Sequence, residues 1–196
     1  MEQHDADNGV RAAVRRRGRR ALAVAGLLAL IGWAALTAAG PSAPPDRSGV
    51  PAAGPRARGA GAEPLSGTAE RYAEQLVALV NAERMRAGCD PLRPSGALRA
   101  AAQRHADDMA ARGYYEHRDP DGADGGDRIT AAGYDWRAWG ENIHRGPRSP
   151  AHAMRDWMDS AAHRRNVVNC AFRDLGVGVN LRSNGPWWVQ VFGTRG

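Results

Sequence analysis

The spacing of hydrophobic residues predicts two helices at the start of a folded region that begins near residue 66. The first helix is predicted to begin near Ser66 or Thr68 and to end at Gly88, because glycine is common just past a helix C-terminus. Its apolar face consists of Tyr72, Leu76, Leu79 and Val80. A second helix follows residues 94–96, Pro-Ser-Gly, which supply a turn and a helix cap, and it ends at Gly113. The apolar face of this second helix consists of Leu98, Ala102, His105 and Met109.

A third helix and a hairpin complete the pattern. The helix opens at Ser149 and Pro150, a capping residue followed by proline at the first helical position. Its apolar stripe consists of Met154, Trp157 and Met158. After Asn166 the period changes, and residues 175–181 and 187–193 read as two strands joined by an Asn-Gly turn. Helices first and a hairpin last predict an α+β fold in which helices pack on a small antiparallel sheet.

The last predicted strand begins with two adjacent tryptophans, Trp187 and Trp188. Neighbouring residues of a strand point to opposite faces of the sheet, so one of the two is predicted to point outward. An outward tryptophan would line a cleft or mark a binding surface.

The N-terminal part of the chain contains one long uncharged apolar run, residues 21–40. A run of about 20 residues can cross a bilayer as a helix. Six Arg residues lie between residues 11 and 20, directly before the run, and such a cluster keeps the N-terminus in the cytoplasm. The run is therefore either an uncleaved anchor, which we favour, or a signal peptide cleaved near residues 37–39. Both interpretations place the rest of the chain outside the cytoplasm, at the cell membrane or secreted.

Residues 41–65 have the composition of a linker. They are rich in Pro, Gly and Ala and contain few large apolar side chains, so burial cannot offset the entropy lost on ordering them. We therefore predict four parts: a basic cytoplasmic leader (1–20), a transmembrane anchor or signal peptide (21–40), a disordered linker (41–65) and a folded domain (66–196).

The charge distribution argues against nucleic-acid binding. The chain has a formal net charge of +6, and a basic chain first raises the possibility of a nucleic-acid partner. Half of that charge belongs to the short leader, however, and residues 66–196 hold 18 Arg against 16 acidic residues. The domain shows no basic face with interleaved aromatic residues. We therefore expect the membrane, through residues 21–40, and no nucleic acid.

The two cysteines of the chain, Cys89 and Cys170, both lie in the domain that is predicted to be exported. Two cysteines in an oxidising compartment usually pair. We predict one disulfide, which would close a loop of about 80 residues and stabilise the fold by roughly 4 kcal/mol on the chain-entropy estimate.

Five motifs stand in order along the predicted domain. They are LVNAERMRAGCDPL (79–92), HADDMA (105–110), HRDPDG (117–122), WGENI (139–143) and WMDSAAHRRN (157–166), and the predicted hairpin follows them. Their order and spacing resemble the bacterial branch of the CAP superfamily, which comprises cysteine-rich secretory proteins, antigen 5 and pathogenesis-related 1 proteins. The resemblance covers the folded part of the chain. It implies an α-β-α sandwich with a cleft at the sheet edge, lined by His and Glu.

The resemblance also implies roles for particular residues. The family's first cleft histidine corresponds to His117, and the glutamate of its GEN motif corresponds to Glu141. Its second acidic position is Ser160 in this chain, and its second histidine aligns with Trp187. His163 is the imidazole that could replace the missing one. A weakly bound divalent metal such as zinc would then be held by His117 and His163.

The pair His117 and Glu141 supports three functional hypotheses. A carboxylate near an imidazole can orient a metal-bound histidine, perform acid/base chemistry or form a buried hydrogen-bonded pair. We expect a binding module for a small ligand, lipid or cell-envelope component, because CAP relatives are associated with lipid or sterol carriage and with protein partners. The alternatives are a hydrolase that uses His117 and Glu141, and an envelope interaction protein whose cleft is idle. Enzyme activity is less favoured because no Ser or Cys stands in a nucleophile motif.

Structural roles are predicted for the remaining polar candidates. The acidic segment 118–128 lacks the spacing of an EF-hand loop and is predicted to be a solvated loop rather than a calcium site. His105 lies on the apolar face of the second helix and is predicted to be a hydrogen-bonded core residue. His144 and His152 are predicted to be exposed.

Overall fold

The computed structural model describes residues 11–12 and 65–196. The helices are α1 (Leu65–Arg86), α2 (Gly96–Arg112), α3 (Gly125–Ala131), α4 (Pro150–Asp159) and α5 (Ala161–Val167). The strands are β1 (Arg11–Ala12), β2 (Arg93–Pro94), β3 (Trp136–Arg145), β4 (Asp174–Asn180) and β5 (Trp187–Arg195). Among these residues no helix combines the length and apolar character needed to cross a bilayer. The predicted membrane segment, residues 21–40, and the predicted linker lie outside the described residues.

The strands form one five-stranded sheet in the order β1-β3-β5-β4-β2. The three long strands are antiparallel neighbours, so that Val191 of β5 lies opposite Glu141 of β3 on one side and Gly176 of β4 on the other. β2, in contrast, runs parallel to β4. The sheet is therefore mixed, which corrects the expectation of an antiparallel sheet. The parallel pair arises because the chain passes from β2 to β4 through several helices and β3 rather than through a hairpin.

Helices cover both faces of this sheet. α2 and α3 pack on one face, and α1, α4 and α5 pack on the other. The first interface is formed around Leu98, Met109, Ile129, Ile143, Val189 and Val191. The second is formed around Leu76, Val80, Trp157, Val177, Val179 and Phe192. The result is the α+β, α-β-α sandwich that the motifs predict, with two separate hydrophobic cores.

Trp187 and Trp188 are both fully buried, so the expectation that one of them points outward is wrong. Their side chains do alternate, because Trp187 belongs to the core under α2 and Trp188 to the core under α1 and α4. Both indole N–H groups are satisfied: Trp187 donates to Asn184 Oδ1 at 3.1 Å and Trp188 to the carbonyl oxygen of Pro147 at 2.8 Å. Alternation predicts opposite faces correctly, but here each face is covered by helices.

Two local elements differ from the sequence prediction. The third predicted helix is two helices, since Ser160 has extended backbone angles, ends α4 and caps α5 by accepting from the His163 N–H. The end of the segment predicted as a solvated loop, residues 118–128, forms the start of the short helix α3. Asp124 caps α3 and forms a reciprocal capping box with Asp127, a pair of bonds that satisfies two backbone donors at once.

The predicted disulfide between Cys89 and Cys170 is present, and it joins the segment after α1 to the segment after α5. The buried side chain of Arg84 joins the same two segments. Its guanidinium donates hydrogen bonds of 2.8 to 3.3 Å to the carbonyl oxygens of Asp90, Val167, Asn169 and Phe172. These segments are therefore fixed by one covalent link and one charged hydrogen-bonding group.

Side chains cover the sheet edges close to the two cores. At β4, the amide of Gln103 accepts from the Val179 N–H and donates to the Val179 carbonyl oxygen, both at 3.0 Å. At β3, the carbonyl oxygen of Ile143 accepts from the Tyr115 hydroxyl and the Trp157 indole, both at 3.2 Å. These contacts occupy backbone groups that would otherwise be available for pairing with another strand.

Candidate functional site

The candidate site lies on the face of β3 that α2 and α3 cover. Glu141 lies between the buried residues Trp139 and Ile143 on the same face of the strand. The extended backbone therefore places its carboxylate among core side chains. α3 brings Arg128 to the carboxylate, and the segment between α2 and α3 brings His117. A charged group in a core position needs partners of this kind.

Glu141 is engaged on both carboxylate oxygens. Its side chain is only 2% exposed. Oε1 lies 2.9 Å from His117 Nδ1 and 3.0 Å from an Arg128 guanidinium nitrogen, and the same nitrogen lies 2.8 Å from Oε2. The carboxylate is thus the centre of a hydrogen-bonded cluster that links β3 to α3 and to the preceding segment.

The neighbours of Glu141 keep it ionised. Burial by itself raises the pKa of the Glu141 carboxyl, but the hydrogen bond from His117 and the charges of Arg128, His105 and His117 lower it by more, to about 2. Positive partners and donated hydrogen bonds favour the charged form of a carboxylate. Glu141 therefore carries its negative charge throughout the physiological pH range.

The ionised carboxylate determines where neutral His117 carries its proton. An ionised carboxylate can only accept hydrogen bonds, so His117 Nδ1 must be the protonated ring nitrogen. In the neutral ring Nε2 is then unprotonated, and it makes no hydrogen bond within the described part of the chain. The His117 side chain is 22% exposed. The arrangement offers an oriented imidazole lone pair, suited to accept a hydrogen bond, take a proton or bind a metal.

His105 packs against the same carboxylate from α2. It is buried, as predicted, and its Nε2 lies 3.1 Å from the Glu116 carbonyl oxygen and 3.8 Å from Glu141 Oε1. Burial lowers the pKa of His105, and the attraction of Glu141 raises it by less. Neutral His105 therefore donates from Nε2 to Glu116, which fixes the segment that carries His117. Its position beside the site was not predicted from the sequence.

A network of amides holds the opposite side of β3. Asn166 Nδ2 donates to the main-chain carbonyl oxygen of Glu141 at 3.1 Å and to Asn142 Oδ1 at 2.9 Å. Asn142 Nδ2 donates to Gln190 Oε1 at 3.0 Å and to the carbonyl oxygen of His163 at 3.2 Å. The GEN motif thus supplies a site carboxylate and, in the next residue, an amide that connects β3 to α5 and β5.

The other predicted site residues lie in helix α5, at its cap or in a hydrophobic core. Ser160 is half-buried and its hydroxyl caps α5. His163 lies half-buried in α5. Trp187 has no exposed surface to offer a ligand and packs beneath the guanidinium of Arg145, 4.6 Å from its ring centre. The roles of Ser160, Trp187 and His163 in ligand binding stay predictions.

The residues near His117 do not form a resident zinc site. A protein zinc site has three or four protein ligands. Within residues 65–196, no group of three or more His, Cys, Asp or Glu side chains is arranged to hold a metal ion. Glu141 is committed to Arg128 and His117 through both oxygens. Weak zinc binding by His117 and His163 alone stays a prediction.

Two further histidines lie on the opposite face of β3. His144 is partly exposed and its Nε2 contacts Asp156 Oδ2 at 2.7 Å. His152 is half exposed and lies 3.5 Å from the same oxygen. Exposure was predicted for both, and His144 is more enclosed than predicted because α4 brings Asp156 over it.

Acid is expected to destabilise the fold through Glu141. The folded pKa, about 2, lies below the usual 4.5, so this group stabilises the fold above about pH 4.5 and its contribution is lost as the pH falls toward 2. The loss is roughly 3 kcal/mol. Urea unfolding at several pH values should show a shallower acid dependence in Glu141→Gln than in the wild type. Equal slopes for the two proteins would contradict the assignment.

Arg128 is the site residue that the sequence interpretation missed. It lies in the segment that is predicted to be a solvated loop, and its side chain is 10% exposed. The available signal was Asp124 followed three residues later by Asp127, which marks a helix start. A helix there places Arg128 at its fourth position, facing the sheet.

Comparison with known proteins identifies the family. Residues 77–192 match the family model described as Cysteine-rich secretory protein family, CAP. The chain is 33% identical over 121 residues to the uncharacterized protein YkwD of Bacillus subtilis, which covers 62% of this chain and 46% of that protein. It is 28% identical over 109 residues to the uncharacterized membrane protein YlbC of the same bacterium, covering 56% of this chain and 32% of that protein. The chain thus spans less than half the length of both relatives.

Solved structures show the same fold. An extracellular protein containing an SCP domain from Bacillus anthracis matches with a TM-score of 0.64 and 27% identity, over 67% of this chain and 43% of that chain. An outer surface protein of Borrelia burgdorferi matches with a TM-score of 0.60 and 18% identity, over 65% of this chain and 95% of that chain. The second likeness concerns the fold alone. Together with the family match, these findings show that the chain belongs to the cysteine-rich secretory protein family, the CAP superfamily.

Proposed function

We propose that the chain is an extracytoplasmic binding module whose cleft presents His117 to a small ligand, lipid or cell-envelope component. The observation that carries the proposal is the hydrogen bond of 2.9 Å between His117 Nδ1 and the buried, ionised Glu141. It leaves Nε2 as an oriented acceptor on a partly exposed side chain. A few well-placed polar groups of this kind are what fix a ligand in a protein pocket.

The extracytoplasmic location is part of the proposal. It is supported by the Arg-flanked apolar run at 21–40 and by relatives described as an extracellular protein and a membrane protein. The run either stays as an anchor or is cleaved as part of a signal peptide. Intact mass of the exported protein would distinguish a retained leader from a cleaved one.

Ligand binding can be tested with histidine-labelled protein. We expect soluble peptidoglycan fragments, or in a separate titration vesicles that contain phosphatidylglycerol, to shift the His117 ring signals in a saturable way. Because one hydrogen bond of about 1.4 kcal/mol corresponds to a tenfold change in affinity, His117→Ala should weaken binding about tenfold. His152→Ala, at an exposed histidine on the other face of β3, is the matched control and should bind normally.

A second function, hydrolysis, is favoured by the same pair of residues. An imidazole oriented by an ionised carboxylate can act as a general base through Nε2. Turnover of a peptidoglycan fragment that disappears in a folded Glu141→Gln variant would establish a hydrolase and displace the binding proposal. If the protein neither binds nor hydrolyses these probes, and His117→Ala gives the same results as the wild type, the chain is an interaction protein with an idle cleft.

A further inference from the structure

The position of Arg128 connects the two halves of the site. One guanidinium nitrogen lies 2.8 Å from the main-chain carbonyl oxygen of His117, 3.0 Å from Glu141 Oε1 and 2.8 Å from Glu141 Oε2. The other terminal nitrogen donates to the Ala123 carbonyl oxygen at 3.1 Å. A planar, permanently charged group with several donors can hold a main-chain carbonyl and a carboxylate at once. Arg128 therefore fixes both partners of the bond between Glu141 and His117.

Removing the guanidinium would loosen both partners. The carboxylate of Glu141 would lose the donor that contacts both of its oxygens, and a buried carboxylate without that partner is driven to move toward water. A displaced carboxylate no longer accepts from His117 Nδ1, so the ring proton would no longer be held on that nitrogen. The main chain of His117 would also lose its bond to α3.

The other charged or titratable groups around His117 do not replace Arg128. His105, from α2, is buried, and its Nε2 donates to the Glu116 carbonyl oxygen. Glu116, next to His117 in the chain, is exposed. Arg118 bonds the carbonyl oxygen of Gly122 and lies near Asp124, so its charge is turned toward the exposed loop. Of these groups, Arg128 is the cation in contact with both His117 and Glu141.

We propose that Arg128 is the positioning residue of this site, which keeps neutral His117 protonated on Nδ1 and its Nε2 lone pair available to the ligand. The inference deepens the proposed binding function, since it names the residue that prepares the acceptor atom. It does not depend on the ligand, because the position of the proton is a property of the unliganded protein. Failure of the ligand titration and failure of this inference are therefore distinguishable.

The test is the proton position in the full chain labelled with ¹⁵N at histidine. At alkaline pH, where histidine is neutral, wild-type His117 should show a protonated Nδ1 and an unprotonated Nε2. Arg128→Met should leave the ring proton divided between Nδ1 and Nε2, because neither the His117 main chain nor the Glu141 carboxylate is then held in place. Arg128→Lys keeps the positive charge but lacks the planar guanidinium with its several fixed donors. This variant should retain the wild-type tautomer in an intermediate fraction of molecules.

The matched control is Arg99→Met, which removes an exposed arginine that pairs with Glu70 across the surface. It should leave the His117 signals unchanged. Folding of each variant is checked by the dispersion of the tryptophan indole signals. A folded Arg128→Met protein with the wild-type tautomer would overturn the inference. If Arg128→Met does not fold, the Lys variant decides, and an unchanged tautomer fraction in it would overturn the inference equally.

Discussion

Replacing Arg84 by Met is expected to lower the free energy of unfolding by about 4 kcal/mol, since buried charged groups and their hydrogen bonds are costly to disrupt. The guanidinium is fully buried and serves four main-chain carbonyl oxygens. Methionine fills much of the volume but donates to none of them. The carbonyl oxygens would remain buried without partners, or the two segments would separate to reach water.

The measurement is urea unfolding followed by tryptophan fluorescence, with the disulfide intact in every protein. Arg86→Met is the matched control, because Arg86 lies two residues after Arg84 in α1 and is 71% exposed beside Glu83. An exposed pair of this kind contributes about 0 to 1 kcal/mol, so this variant should unfold like the wild type. A loss below about 1 kcal/mol for Arg84→Met would show that the disulfide alone fixes the two segments.

Gly178→Ala is expected to destabilise the protein by about 3 kcal/mol, the upper part of the range for overpacking a core. β4 and α2 approach so closely that a Cβ at Gly178 would collide with the backbone of Ala102 and Gln103. A flexible side chain could move away, but the backbone of a helix packed on a sheet moves only if the layers separate. Separation would also break the bonds between Gln103 and Val179.

Gly96→Ala is the control for the glycine prediction. Gly96 is exposed at the first position of α2, and a Cβ there meets no atom within 4 Å. Alanine at such a position reduces the entropy of the unfolded chain, so this variant should match or exceed wild-type stability by up to about 1 kcal/mol. Equal stability of Gly178→Ala and Gly96→Ala would show that the helix and sheet can separate at little cost.

The four cleft positions implied by the family resemblance have different surroundings in this chain. Two of the four cleft positions implied by the resemblance are Ser160 and Trp187, which cap a helix and fill a core. The remaining pair, His117 and Glu141, is completed by an arginine instead of a further metal ligand. That combination favours hydrogen bonding to a ligand over a firmly held cation.

Short-range signals in the sequence were sufficient for the parts of the fold that depend on neighbouring residues. Ser95 caps α2, Gly113 ends it in the left-handed conformation, and Ser149 caps α4, each as predicted. The hairpin also forms where the alternating pattern and the Asn-Gly turn place it. Caps, turns and periodic faces are local, because their hydrogen bonds and side-chain contacts join residues a few positions apart.

The sequence by itself therefore determined the family, the order of most of its elements, the disulfide between Cys89 and Cys170, and His117 and Glu141 as the candidate pair. Only the tertiary structure decided which residues complete that pair and which strand faces are covered. Arg128 meets Glu141 across 13 positions, and Trp187 and Trp188 are enclosed by helices from distant parts of the chain. Such contacts depend on how whole layers pack, and the physical reason they escape a sequence pattern is that burial and charge pairing are properties of the assembled core.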